Sequence, residues 1–174
     1  MKKLCLFIAV AVAMHFSACA QRPNVEKRLQ ELHIVLKKPA APTANFIKSV
    51  RVGNLIYLSG HGPDKPEGGR VIGKVGSDLT IEEGKEAARL AGISLLSTLK
   101  AEIGDLNKVK RVFKVFAMVN CPPTFTNQSQ VINGFSDLMV EVFGDRGKHV
   151  RSAVGMGSLP FNMAVEIEMI VEVE

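Results

Sequence analysis

The strict alternation at the C-terminus constrains the fold most. Residues 164–174 read AVEIEMIVEVE, with apolar residues at every second position. Successive side chains of a β-strand point to opposite sides of a sheet, so this spacing predicts a strand with one buried face. Ile170 stands among the glutamates of the other face. We therefore expect that face to meet a further protein surface as well.

Two helices and four more strands precede this segment. Thr80 and Glu83 form a capping-box pattern at the start of a helix that ends at Gly104, and a second helix is predicted over roughly Gln128–Phe143. The other strands are predicted on both sides of the turn at residues 53–54, over residues 109–120 and over Val150–Met156. The order β-β-α-β-α-β-β indicates an α+β domain with a mixed sheet and two helices on one face.

The segment between the second strand and the first helix is rich in glycine and proline. Its sequence HGPDKPEGGRVIGKVGSDL predicts a loop, with a short strand over residues 70–75. The segment that precedes the first strand contains KKPAAPTAN, which predicts an extended lead-in rather than a helix.

The composition is that of one globular domain. The chain has 174 residues, of which 47% are hydrophobic and 22% are charged, and this excludes a disordered protein. The formal net charge is +5, but the basic residues are dispersed. Because no nucleic-acid-binding motif accompanies this charge, we expect no nucleic-acid partner.

The N-terminus has the pattern of an export signal. MKK is followed by the apolar stretch LCLFIAVAVAMHF, and small residues precede Cys19 as in a bacterial lipobox. We expect residues 1–18 to be a signal peptide cut before a lipidated Cys19, residues 19–44 an extension and residues 45–174 the domain. The protein would then lie in the cell envelope, held to the membrane only by its lipid anchor. The alternative is plain cleavage between Ala20 and Gln21, which would release a periplasmic or secreted protein.

Several kinds of site are excluded by spacing. The three cysteines, at positions 5, 19 and 121, give no disulfide framework and no CxxC metal site. The four histidines lack HxxxH-type spacing, so we expect no metal. The glycine-rich stretch GHGPDKPEGG lacks the GK[ST] ending of a P-loop, and Ser59 is not in a GxSxG motif.

Two charged residues near the C-terminus suit catalysis. Arg151 offers a planar fork that matches a carboxylate, and Glu166 offers a base that can position or deprotonate water. Together they fit hydrolysis of a small substrate that carries a carboxylate. The alternative is a surface salt bridge between neighbouring strands, worth roughly 0–1 kcal/mol. The residue types alone leave both interpretations open.

The sequence pattern of the whole domain bears on the choice between these two interpretations. The segments VGNLIYLSGHGP, VKRVFKVFAMVN, VINGF and RSAVGMGSLPFNMAVEIEMIVEV, over residues 45–174, resemble the Rid/YjgF family of enamine/imine deaminases. The resemblance implies a chorismate-mutase-like domain that assembles as a homotrimer with sites in clefts between subunits. It implies hydrolysis of reactive 2-imino or enamine acids to 2-keto acids and ammonia, without a metal or organic cofactor.

The resemblance also implies roles for individual residues. Arg151 matches the arginine that binds the substrate carboxylate, and Glu166 matches the glutamate that handles the attacking water. Ser59 matches a cleft residue that we group with Glu166 as catalytic, and Gly60 lines the cleft beside it. Asn133 matches an asparagine of the second helix near the site.

Three further positions complete the expected binding site. The backbone of Ala153 is expected to face the ligand. Phe46 stands where the family usually has a tyrosine, and His61 stands where it usually has a glutamine. His61 binds the ligand or simply fills a turn. These departures leave a second hypothesis open, in which the protein is a noncatalytic trimeric module that binds a small carboxylate or another envelope protein.

Overall fold

The computed structural model describes residues 24–42 and 44–174. The elements are α1 (Val25–Glu31), β1 (Ser49–Val52), β2 (Leu55–His61), α2 (Ile81–Ile103), β3 (Val109–Asn120), α3 (Gln128–Phe143), β4 (Val150–Met156) and β5 (Val165–Val173). Short 3₁₀ turns lie at Leu106–Lys108, Gly144–Gly147 and Pro160–Asn162. The five main predicted strands and the two long helices are confirmed.

The five strands form one mixed sheet in the order β1-β2-β5-β3-β4. Strands β3 and β4 are parallel, and the remaining neighbours are antiparallel. The parallel pair requires a crossover, which α3 provides. The last strand, β5, lies in the centre of the sheet between β2 and β3, so both of its edges are paired.

Both long helices cover the same face of the sheet. The α2 helix begins with the predicted capping box, in which the Thr80 side chain accepts from the Glu83 N–H and the Glu83 carboxylate accepts from the Thr80 N–H. The helices approach closely, because a Cβ at Gly134 of α3 would lie 2.0 Å from the Lys85 carbonyl oxygen of α2. The core consists of apolar side chains from α2, α3 and one side of the sheet.

The strand register defines two faces of the sheet, which we call the helix face and the open face. Val165, Ile167, Met169, Val171 and Val173 of β5 are all buried on the helix face, as the alternation predicts. Glu166, Glu168, Ile170 and Glu172 lie on the open face, and no other element of the described chain covers that face as the helices cover the first.

The segments before and between the main elements pack against the sheet and the two long helices. The Val25 N–H at the start of α1 donates to the Asn107 side chain, and Arg28 donates to the Glu141 carbonyl of α3. The loop at residues 62–79 does not contain the predicted short strand. Its only pairings are single bridges such as Ile72 with Met163, because the three glycines between residues 69 and 76 all have positive φ.

The predicted signal peptide and Cys19 lie outside the described residues. In the ranges that are described, no helix is long and apolar enough to cross a membrane.

Candidate active site

Arg151 lies near the start of edge strand β4 and reaches α3. Its register opposite Val115, which is fully buried, places it on the helix face. One Nη1–H donates to the Ser136 hydroxyl at 2.7 Å. The Nη2 group donates to the Asn133 side-chain oxygen at 2.8 Å and to the Ser129 carbonyl at 3.1 Å. Asn133, which the resemblance puts near the site, therefore contacts Arg151.

These contacts fix the guanidinium without using all of it. An arginine side chain has five N–H donors, and three of them are used by α3. Among the described residues, the Nε–H and the second Nη1–H have no hydrogen-bond partner, and no carboxylate of this part of the chain forms an ion pair with Arg151. A half-buried arginine with donors to spare is suited to bind an anionic ligand.

A histidine extends this group of residues. The Ser136 Oγ lies 3.1 Å from Nε2 of His149, whose Nδ1 lies 2.7 Å from the Gly147 carbonyl oxygen. Burial lowers the pKa of His149, the nearby Arg151 charge lowers it further, and the Gly147 carbonyl opposes both. At neutral pH the imidazole is therefore uncharged, with Nδ1–H donating to the carbonyl.

Glu166 lies at the start of β5 on the open face. Its register partner on β3 is Met118, and a Cβ at Gly60 would lie 2.2 Å from its Oε1. Desolvation raises the pKa of Glu166, and the neighbouring Glu168 raises it further, whereas Arg70 opposes the rise. Its half-buried carboxylate is therefore a better base than that of an ordinary surface glutamate.

A bulge in β2 places Ser59 and Gly60 next to this carboxylate. Leu58 pairs with Met169 and His61 pairs with Ile167, so two residues of β2 oppose a single residue of β5. Gly60 lies against Glu166, and Ser59 lines an open groove of about 520 Å³ on the same face. The buried Ser59 hydroxyl has no hydrogen-bond partner among the described residues. A buried hydroxyl without a protein partner leaves one hydrogen bond for an ordered water or a ligand to supply.

Arg151 and Glu166 lie on opposite faces of the sheet. Arg151 shares its face with Val115 and Ala117, whereas Glu166 is the register partner of Met118. This arrangement excludes the surface salt bridge between the two side chains within one copy of the chain. It also prevents one small ligand from contacting both groups in the same copy.

His61 does not line the groove. It is buried on the helix face, where Nδ1–H donates to the Ser59 carbonyl at 2.7 Å and Nε2 accepts from the Thr98 hydroxyl at 2.8 Å. Desolvation lowers the pKa of His61. Both ring nitrogens are satisfied, so the structure favours the space-filling interpretation of this residue over ligand binding.

The remaining predicted positions lie at the margins of these groups. Phe46 is half-exposed and precedes Ile47, which lines the groove. Ala153 lies on β4, two residues from Arg151, opposite Ala117. In the ranges 24–42 and 44–174, no three His, Cys, Asp or Glu side chains come together as a metal site.

Comparison with known proteins identifies the family to which this fold belongs. Residues 26–173 match the family model described as YjgF/chorismate mutase-like, putative endoribonuclease. The match covers most of the chain and begins within α1. The chain belongs to the Rid/YjgF family.

Individual relatives of the Rid/YjgF family agree with this. Protein TCP17 of Trypanosoma cruzi is 44% identical over 150 residues, which cover 86% of this chain and 94% of that protein. The crystal structure of Atu1372 from Agrobacterium tumefaciens, a protein of unknown function, is 41% identical and superposes with a TM-score of 0.80 over 87% of this chain and 94% of the other. RidA from an Antarctic Psychrobacter species is 25% identical, with a TM-score of 0.53 over 78% of this chain and 94% of that one.

The structure adds residues that the sequence analysis missed in this Rid/YjgF domain. Ser129 and Ser136 were missed, although with the predicted Asn133 they follow the helical spacing i, i+4, i+7, so this polar stripe on α3 was visible in the sequence. Arg70 and Phe161 come from two loops, and the guanidinium of Arg70 lies 5.6 Å from the Phe161 ring centre. Nothing in the local sequence of either loop pointed to this contact.

Proposed function

We propose that this protein hydrolyses reactive 2-imino or enamine acids to 2-keto acids and ammonia, at sites shared between two copies of the chain. The observation that carries the proposal is the pair of half-sites on opposite faces of the sheet. One half-site holds Arg151 with unused N–H donors at the edge strand β4. The other holds the half-buried carboxylate of Glu166 beside Gly60 and the groove.

The half-sites complement each other chemically. Arg151 would neutralise and orient the substrate carboxylate, which withdraws electrons from the adjacent imine carbon. Water would attack that carbon of the protonated imine while Glu166 accepts a proton from the water, giving a tetrahedral amino alcohol. Glu166 would return that proton to the nitrogen, and the C–N bond would then break, with its electron pair leaving on ammonia. The hydroxyl of the intermediate would lose its proton to Glu166 as its oxygen becomes the carbonyl of the 2-keto acid. Each step uses only the substrate, water and these two side chains.

The open face supports assembly of several copies. Val50, Val52 and Tyr57 lie there with 45%, 59% and 40% of their surfaces exposed, and Phe116 and Ile170 line the groove beside them. Contiguous apolar surface of this kind is typical of an interface. We propose a homotrimer in which the open face of one copy meets the β4 edge of the next, so that each cleft receives one half-site from each copy.

The endoribonuclease description of the matching family model would require a different surface. RNA binding needs a cluster of cations that follows the phosphate backbone. The charged residues lining the groove are one lysine, Lys114, and one glutamate, Glu168. This balance favours a small ligand with a single negative charge over a polyanion.

The second candidate is a module that binds a small carboxylate without turnover. It is favoured by the position of His61, which points into the core, and by Phe46, which has no hydroxyl group. The Arg151 half-site alone would suffice for such binding. The two candidates differ in whether Glu166 matters for the fate of the ligand.

A competition assay tests the proposal. An amino-acid oxidase generates 2-imino acids in the presence of semicarbazide, and the protein competes for them by hydrolysis. We expect the protein to lower semicarbazone formation and Arg151→Ala to lose about 100-fold of this activity, since two hydrogen bonds to a charged group are worth roughly 3 kcal/mol. Arg111→Ala, which removes an exposed arginine of β3, is the matched control. An unchanged rate in Arg151→Ala would refute the assigned role, and saturable binding without turnover would support the second candidate.

We propose further that the mature protein is anchored in the cell envelope through a lipid on Cys19. The support is the charged and apolar N-terminal sequence with small residues before that cysteine. Cys19→Ala should move the protein from the membrane fraction to the soluble fraction. Equal membrane association of the two proteins would contradict the anchor.

A further inference from the structure

The residues behind Arg151 form a continuous chain of hydrogen bonds. It runs from the Gly147 carbonyl to His149 at 2.7 Å, from His149 to Ser136 at 3.1 Å and from Ser136 to Arg151 at 2.7 Å. This series of hydrogen bonds links β4 to α3 and to the 3₁₀ turn between them. Neither His149 nor Ser136 is required for the chemistry of the proposed reaction.

The direction of each hydrogen bond follows from the chemistry of the donors. The Gly147 carbonyl is only an acceptor, so His149 must donate to it from Nδ1. A neutral imidazole then has a lone pair at Nε2, and Ser136 must donate its hydroxyl hydrogen to that atom. The lone pairs of Ser136 are left for Arg151, which can only donate.

We infer that Ser136 and His149 are positioning residues that hold the guanidinium of Arg151 at the orientation required for carboxylate binding. Neutral His149 fixes the hydroxyl of Ser136, and the fixed hydroxyl in turn holds one Nη1–H of Arg151. With Asn133 and the Ser129 carbonyl on Nη2, this leaves the Nε–H and the second Nη1–H for a ligand. The inference rests on the proposed role of Arg151 in binding the ligand.

The surroundings of His149 support its place in this chain. Its ring packs edge-on against Phe135, with ring centres 5.7 Å apart, so its plane is fixed by a buried neighbour. Arg151 is the charged group that acts on it, and the nearby Lys148 pairs with Asp145 at 2.7 Å. A second cation next to Arg151 is unfavourable, which keeps the imidazole neutral and able to accept.

Binding of a stable 2-keto acid tests the inference without relying on turnover. We expect Ser136→Ala to raise the Kd for 2-oxobutanoate about tenfold, because it removes a hydrogen bond to a charged group. Ser136→Thr retains the hydroxyl and should bind nearly as the parent protein does. His149→Phe retains the packing on Phe135 but removes the acceptor, and should show an intermediate loss. An unchanged Kd in Ser136→Ala would overturn the inference.

Nitrogen NMR of the histidine side chains provides a second test. It reports the tautomer and the pKa of His149, which a purely structural role of this residue would not couple to Arg151. We expect His149 to carry its proton on Nδ1, and its pKa to rise in Arg151→Ala because a neighbouring positive charge has been removed. A proton on Nε2 would overturn the hydrogen-bond chain. If Arg151→Ala binds 2-oxobutanoate normally, the proposed function fails. If only Ser136→Ala binds normally, the positioning role fails and the proposed function stands.

Discussion

The carboxylate of Glu166 illustrates how a single residue acquires a function from its surroundings. Alternation along β5 places four residues on the open face, and three of them are glutamates, with Ile170 between the second and the third. Gly60 leaves room for the carboxylate of Glu166 against the backbone of β2, and burial raises the pKa of Glu166. Its position on the strand was predictable from the sequence, but its packing against Gly60 was not, since the β2 bulge depends on long-range pairing.

The raised pKa of Glu166 predicts a pH-dependent stability difference. Ionising this residue costs more in the folded than in the unfolded protein, so stability falls as pH rises from the ordinary glutamate pKa through the folded-state pKa. Glu166→Gln removes that cost. We expect the variant to be the more stable protein at pH 7 and the difference to vanish in acid, measured by urea unfolding at one protein concentration. Glu172→Gln, on the same strand and face, is the control, and an equal gain in both variants would count against a special environment at Glu166.

The close approach at Gly60 predicts a loss of activity without a loss of fold. A Cβ there would lie 2.2 Å from Oε1 of Glu166, 2.8 Å from its Cδ and 2.9 Å from its Cγ, all of which are side-chain atoms rather than backbone. The carboxylate of Gly60→Ala must therefore move away from its place beside the groove. We expect at least a tenfold fall in kcat, which is part of the roughly 10²–10⁴-fold that a positioned general base contributes, with little change in Tm. Gly157→Ala adds a Cβ in open space and should behave as the parent protein. Full activity in Gly60→Ala would show that the position of Glu166 is unimportant.

At the scale of elements, local signals predicted the helices and strands well. The Thr80 capping box and the terminator Gly104 determine the ends of α2, and alternation determines β5. The order of strands in the sheet was not predictable in the same way, because the insertion of β5 between β2 and β3 pairs residues over 100 positions apart. The polar stripe of α3 was visible, but its meaning depended on β4 lying beneath it.

The crossing of α2 and α3 provides a test at this scale. Alanine normally stabilises a helix relative to glycine by about 1 kcal/mol. At Gly134 the added Cβ would lie 2.0 Å from the Lys85 carbonyl oxygen, which is backbone and cannot turn away. We therefore expect Gly134→Ala to lose about 1–3 kcal/mol of unfolding free energy through forced separation of the helices. Asp137→Ala, at an exposed position of the same helix, should change stability by less than about 0.5 kcal/mol. A higher free energy of unfolding in Gly134→Ala would mean that the two helices do not approach each other as closely as described.

At the scale of the whole molecule, the two faces of the sheet carry different halves of the proposed chemistry. Arg151 with the α3 stripe lies on the helix face at one edge, and Glu166 with Ser59 and Gly60 lies on the open face. The resemblance to the family supplied the two residues and the expectation of sites between subunits. Their location on opposite faces is the structural reason for expecting a second copy. The alternation of residues along a strand could not predict this location, because alternation in one strand does not show which of its faces matches which face of another strand.

Complementation between two inactive variants tests whether Arg151 and Glu166 of different copies share a site. Arg151→Ala and Glu166→Gln subunits carry different tags, are expressed together, and trimers containing both are purified through the two tags in turn. In a closed ring where each site takes Arg151 from one copy and Glu166 from the next, one site of three is intact in every mixed trimer. We therefore predict about a third of the parent imine-hydrolysing activity in the mixed trimers, against near-zero activity in each variant alone. Mixed trimers as inactive as the separate variants, beside active parent trimers, would contradict the shared site.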